Sequence, residues 1–168
     1  GDLAVSLPVP GPRGPTPEVI FERGFLKHQF ISGDGSFFFY TRASGAPPYL
    51  LVTTFPGTAL EYFQGGGRSG GDVFVHSART GAQATGGTWR QEHTALVLGP
   101  AGSPESRVRY GFRFRFASSY EELRDILFQE GLFDVRVIPG MVVPSDLKGR
   151  FSLHTRAEIN EIRPEFPS

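Results

Sequence analysis

Apolar and polar residues alternate most regularly in RVRYGFRFRFAS. There Val108, Tyr110, Phe112, Phe114 and Phe116 fall on one side of an extended chain, and Arg107, Arg109, Arg113 and Arg115 on the other. A period of two marks a half-buried strand, so the pattern predicts a core-facing row of large residues and a solvated row of arginines. SFFFYTR (Ser36–Arg42), YLLVTTF, ALEYFQ and DVFVHSA read as further strands, rich in the aromatic and β-branched side chains that suit a pleated surface. In the last of these, Val73, Val75 and Ser77 share one face and Phe74 and His76 the other. TWRQEHTALVLGP predicts a strand stopped by Gly99-Pro100, and FDVRVIP, GMVV and RFSLHTR predict the closing strands. A single segment, SSYEELRDILFQEG, has helical spacing. Tyr120, Leu123, Ile126 and Leu127 form its apolar stripe, Ser118 with Glu121 or Ser119 with Glu122 a capping box, and Gly131 its stop.

This order of elements predicts a mainly β chain, an antiparallel β-sandwich with one α-helix near residues 118–130. The first 17 residues contain five prolines and read as an extended arm, leaving 18–156 for the sandwich domain. Glycine and proline together supply 36 of the 168 residues, too many for a helical bundle and ordinary for strands joined by turns. The formal net charge of zero gives no global field toward nucleic acid or an anionic membrane, and neither partner is expected. Cysteine is absent, which rules out disulfides, thiolate metal sites and thiol catalysis. It leaves the compartment open, with a secreted or extracytoplasmic one favoured.

The stretch TALEYFQGGGRSGG holds two formal motifs. Gly65, Gly67 and Gly70 satisfy the dinucleotide fingerprint, and Gly67-Arg68-Ser69-Gly70-Gly71 the serine-nucleophile turn. Both chemistries need a helix directly after the turn, and here the β-pattern DVFVHS follows. A hairpin connection is therefore expected, with no cofactor. His28, His76, His93 and His154 have no metal-ligand spacing, so no metal is expected either. GGTWRQEHT is richer. Its Trp89, the only tryptophan, stands beside Arg90, Glu92 and His93. An indole face flanked by hydrogen-bonding groups suits a sugar, and a core tryptophan anchoring a strand start explains the same residues equally well. Glu61 and Glu92 are the carboxylates to compare with the 5–9.5 Å or so separating a glycosidase pair.

PYLLVTTFPGTALEYF, GGTWRQEHT, YGFRFRFASSYEELRDILFQEGLFDVRVIPGMVVPSDL and the closing EINEIRPEFP together resemble one block of an uncharacterised family of large glycosidase-like proteins. Its members join a galactose-mutarotase-like β-supersandwich to a six-hairpin (α/α)6 barrel. The resemblance spans roughly residues 24–167. Gly57-Thr58, Glu61-Tyr62, Trp89-Arg90, His93-Thr94, Pro139-Gly140-Met141, Pro144 and Asp146-Leu147 are its most specific pieces. It implies that the chain is a non-catalytic part of the supersandwich, with no catalytic residue of its own. The chain would pack against a barrel, or a second polypeptide of the same protein, and perform as one piece of a carbohydrate-active whole. It also implies that 157–168 is an outgoing linker and that Met141, Val142, Val143 and Asp146 form a docking surface. An alternative is an independent carbohydrate-binding module, with Trp89 as platform and Arg90, Glu92, His93, Glu61 and Tyr62 around it.

Overall fold

The computed structural model describes residues 1–6, 16–19, 25–65, 71–86, 92–138, 140 and 143–162. Contacts divide the chain into two compact units, Gly1–Tyr120 and Glu121–Ser168. The fold is mainly antiparallel β, with three sheets and one helix of seven residues or more among the described residues.

The first unit is a sandwich of two sheets. Strands β1 (Leu3–Ser6), β5 (Tyr62–Gln64) and β6 (Asp72–His76) form one sheet in the order β1-β6-β5. Strands β2 (Phe25–Phe30), β3 (Phe37–Arg42), β4 (Tyr49–Thr54) and β7 (Phe112–Ala117) form the other in the order β2-β3-β4-β7. Every pairing within them is antiparallel. Phe38, Tyr40 and Val52 from the larger sheet meet Val73 and Val75 from the smaller, with Leu60 between, in one buried apolar cluster. Alternation along each strand points these residues inward. Strand β3 is flanked by β2 and β4, and its first five residues are all buried, so Phe37 and Phe39 on its other face are covered as well.

Three features depart from the sequence pattern. Part of the Pro-rich arm is a strand, because Leu3–Ser6 pairs with β6. The aromatic row of β7 is aimed as expected, since Phe112, Phe114 and Phe116 lie beside Thr54, Val52 and Leu50 on the core-side face. It is not fully covered. Strand β7 ends its sheet, leaving Phe114 52 % and Phe116 71 % exposed, while Arg113 and Arg115 on the opposite face are half-buried. Val108 precedes the strand and is exposed as well. The expected core row therefore shrinks to Tyr110 and Phe112, both packed against the cluster. Residues 92–99 carry no strand either: Leu96 exchanges backbone bonds with Gly1, and Val97 and Leu98 are exposed.

The helix predicted near 118–130 begins at Tyr120, the last residue of the first unit, and ends at Gln129 in the second, with Leu123, Ile126 and Leu127 buried and Tyr120 exposed. Past its end, Gly131 has φ +74°, its N–H donates to the Phe128 carbonyl, and the Leu132 N–H to that of Leu127. These two bonds close the helix in the left-handed Schellman manner. Open space surrounds the position a Gly131 Cβ would take. Gly131→Ala is thus expected to cost about 1–2 kcal/mol from backbone conformation alone, measured by urea unfolding. The hairpin β8 (Asp134–Ile138) and β9 (Arg150–His154) completes the unit. Buried Asp134 accepts from Nε and the terminal nitrogen of Arg124, and His154 stacks on Phe128 at 4.2 Å.

Candidate functional site

The segment FPGTALE leads from β4 in one sheet to β5 in the other. The Phe55 N–H donates to Gly111 and the Thr58 N–H to Phe55, making a turn in which Gly57 takes φ +81°. The Thr58 hydroxyl then accepts from the Gly111 N–H at 2.9 Å. Leu60 exchanges backbone bonds with Gly33 at 2.8 and 3.0 Å, and its side chain enters the apolar cluster. The next residue, Glu61, is 5 % exposed and turns its carboxylate into a polar pocket of the first unit.

That carboxylate is satisfied by the chain itself. Its Oε2 accepts from the Ser77 N–H (2.8 Å), the Ser77 hydroxyl (2.9 Å) and the Thr94 N–H (2.8 Å). Its Oε1 accepts from the Thr94 hydroxyl. The directions of the outer bonds follow from the single proton on each hydroxyl. Ser77 has given its proton to Glu61, so the Nδ1–H of His93 donates to the Ser77 oxygen at 2.9 Å. Thr94 has likewise given its own, so the Nδ1–H of His76 donates to the Thr94 oxygen at 2.8 Å. The Nε2 of a neutral His76 then accepts from the Tyr110 hydroxyl. Burial, followed by the nearby Glu61 charge, raises the Tyr110 pKa, which keeps that hydroxyl a donor. Two arms, Tyr110–His76–Thr94 and His93–Ser77, thus aim every proton at one carboxylate.

The short helix Thr80–Thr85 leaves room for the second arm only because position 81 is glycine. A Cβ there would lie 2.5 Å from His93 Nδ1 and 2.6 Å from Ser77 Oγ. Gly81→Ala should therefore destabilise by about 1–3 kcal/mol, although alanine is ordinarily the better helix residue by about 1 kcal/mol. A rise in the urea midpoint would contradict this. The helix start is capped from far along the chain. The Asp2 carboxylate accepts from the Arg79 N–H, the Thr80 N–H and the Thr80 hydroxyl at 2.7–2.9 Å. Those bonds, led by the one from Arg79, lower the Asp2 pKa.

The residues singled out from the sequence scatter around this arrangement. Glu61 and His93 are both in it, joined through Ser77. Tyr62 is half-buried, its ring edge-on to His93 at 6.2 Å. Glu92 is exposed and outside the bonds that hold Glu61. Trp89 and Arg90 lie outside the described residues, as do Met141 and Val142. Val143 is half-buried against Gly149, and Asp146 is exposed in a turn that the Leu147 N–H closes onto Pro144. The two glycine motifs lie between β5 and β6, which pair directly as a hairpin, so a strand follows them as expected; residues 66–70 are outside the described set. Among the described residues, no group of three or more His, Asp or Glu side chains is placed to hold a metal ion. Ser77, Thr94, His76 and Tyr110 were invisible as a group in the sequence. The one signal was the small polar Ser77 on the inward face of an otherwise apolar strand pattern, which demands a buried partner.

No family model matches the chain, and no curated protein or solved structure shows significant similarity to it.

Proposed function

We propose that this chain is a non-catalytic β-sandwich portion of a carbohydrate-active, glycoside hydrolase-like protein. It packs against a catalytic domain outside these residues and lends it loops. The observation that supports this most is the saturation of Glu61. A glycosidase acid or nucleophile must present a carboxyl oxygen to the glycosidic bond. Both Glu61 oxygens are instead engaged by donors of the chain, at 5 % exposure. Exposed Phe114 and Phe116 supply apolar surface of the kind a neighbouring domain covers. Of the candidate sugar-binding residues among the described ones, Glu92 is exposed, Tyr62 and His93 are half-buried and Glu61 is buried.

The polypeptide that contains this sequence tests the reading. A six-hairpin helical pattern is expected in the same protein, which should release 4-nitrophenol from an aryl glycoside while residues 1–168 alone do not. Turnover by residues 1–168, lost in Glu61→Gln with the fold intact, would overturn the non-catalytic assignment. A parent without the helical barrel would overturn the family assignment.

A further inference from the structure

We infer that the second unit pairs with a second copy of itself, Arg136 and Arg150 of each copy meeting Glu121 and Asp125 of the other about a two-fold axis. This goes beyond the proposed function and does not depend on it. The register of the hairpin sets one half of the contact. Asp134, Arg136 and Ile138 of β8 lie opposite His154, Ser152 and Arg150 of β9, so all six side chains share one face. The helix Tyr120–Gln129 covers one end of that face, where Asp134 is bonded to Arg124 and His154 is stacked on Phe128. The other end is bare. Arg136, Ile138 and Arg150 are all exposed there, Ile138 by 67 %. Arg136 and Arg150 are diagonal neighbours, about 7–8 Å apart at the backbone.

The helix supplies the other half. Glu121 and Asp125 are one helical turn apart, which stacks them on one stripe with Cβ atoms about 6 Å from each other. Both are exposed. Among the described residues, none of these four charged side chains has a hydrogen bond or ion pair within the chain. The helix N-terminus favours Glu121, but Asp125 lies past the first turn. The unit thus carries two pairs of like charge, opposite in sign and similar in spacing, and each pair repels itself within one copy. A two-fold axis sets the hairpin of each copy on the helix of the other, so both repulsions become attractions, twice over. An acidic peptide or an anionic surface would satisfy the arginines and repel the carboxylates beside them; a second copy satisfies both signs. Exposed ion pairs are individually weak, so they fix the register while Ile138, which stands beside both arginines, leaves water. A hairpin of only two strands is marginal without further packing, and this contact provides it.

Sedimentation equilibrium of residues 1–168 should show monomer and dimer in exchange at about 0.05 M salt, with dissociation at about 0.5 M, where exposed charges are screened. Arg136→Glu/Arg150→Glu makes both halves of the contact acidic, and Glu121→Lys/Asp125→Lys makes both basic. Each variant alone should dimerise at least about tenfold more weakly than the wild type. The neutral Glu121→Gln/Asp125→Asn should weaken the dimer by a smaller factor. An equimolar mixture of the two charge-reversed variants should regain dimers, because each offers the sign that the other lacks. Circular dichroism of each variant reports that the fold is retained. A wild type that stays monomeric at every concentration would overturn the inference and leave this face to a neighbouring domain of the parent protein. Dimers indifferent to salt and to both reversals, assemblies that grow past two copies, or a mixture that remains monomeric would overturn it as well.

Discussion

Glu61→Ala is expected to lower the free energy of unfolding by about 3–5 kcal/mol, because it strands several donors in a pocket shaped around a carboxylate. The Ser77 and Thr94 N–H groups and both hydroxyls lose their acceptor together. Ser77 is fully buried, so water does not replace the lost bonds there without opening the structure. Glu61→Gln is the sharper comparison. Its carbonyl oxygen takes over the three bonds made to Oε2, while its amide group can no longer accept from Thr94. The Thr94 hydroxyl must then turn, and the His76 side of the network must reverse. A loss of about 1–2 kcal/mol is expected, with the His93–Ser77 arm retained. Urea midpoints give the energies, and ring-nitrogen NMR shifts report the two histidine tautomers. The wild-type chain should show Nδ1–H on both His76 and His93. Alanine costing less than about 1 kcal/mol would mean that water already serves this site.

Phe38→Ala should cost about 3–5 kcal/mol, as expected for removing a large ring from a closed core. Phe38 is 1 % exposed at the centre of the cluster formed by both sheets, and its ring stands edge-on to Tyr40 at 5.8 Å. Phe114→Ala, with the same change of side chain on the same face of the same sheet, should cost under about 1 kcal/mol. Sequence periodicity treats the two alike, and unfolding of both variants in urea separates them. Equal losses would mean that Phe114 is covered in solution, by another part of the chain or by another copy. A dilution series distinguishes these.

Strands β3 to β9, and the helix ending before Gly131, were legible because each has a local cause: a period of two, a run of β-branched and aromatic residues, or a helical stripe with its stop. What remained hidden depends on distance. The helix Thr80–Thr85 contains Gly81 and two threonines, weak helix formers, and its N-terminal cap is Asp2, nearly eighty positions away. Leu3–Ser6 becomes a strand because β6 offers it an edge. The exposure of Phe114 follows from which strand is last, something alternation alone does not encode. Glu61 and His93 were recognisable as chemically loaded, but the donors that fix their role come from β6's end and from Thr94. Only the folded chain brings these together.

Leu60 and Glu61 are neighbours, both almost wholly buried, and they occupy environments of opposite kind. The Gly33 bridge on one residue and the Phe74 carbonyl receiving the N–H of the next hold that pair in phase with both sheets. The crossing from one sheet to the other therefore acts as a reading frame. A single residue inserted between Thr58 and Ala59 would put a leucine among the hydrogen-bond donors and carry the carboxylate past them, leaving only the small Ala59 side chain to fill the place of Leu60 in the apolar cluster. The same insertion in the glycine-rich connection after Gln64 would shift neither residue. Lineages carrying this fold should accordingly vary in length at the second place and hold the first to the residue.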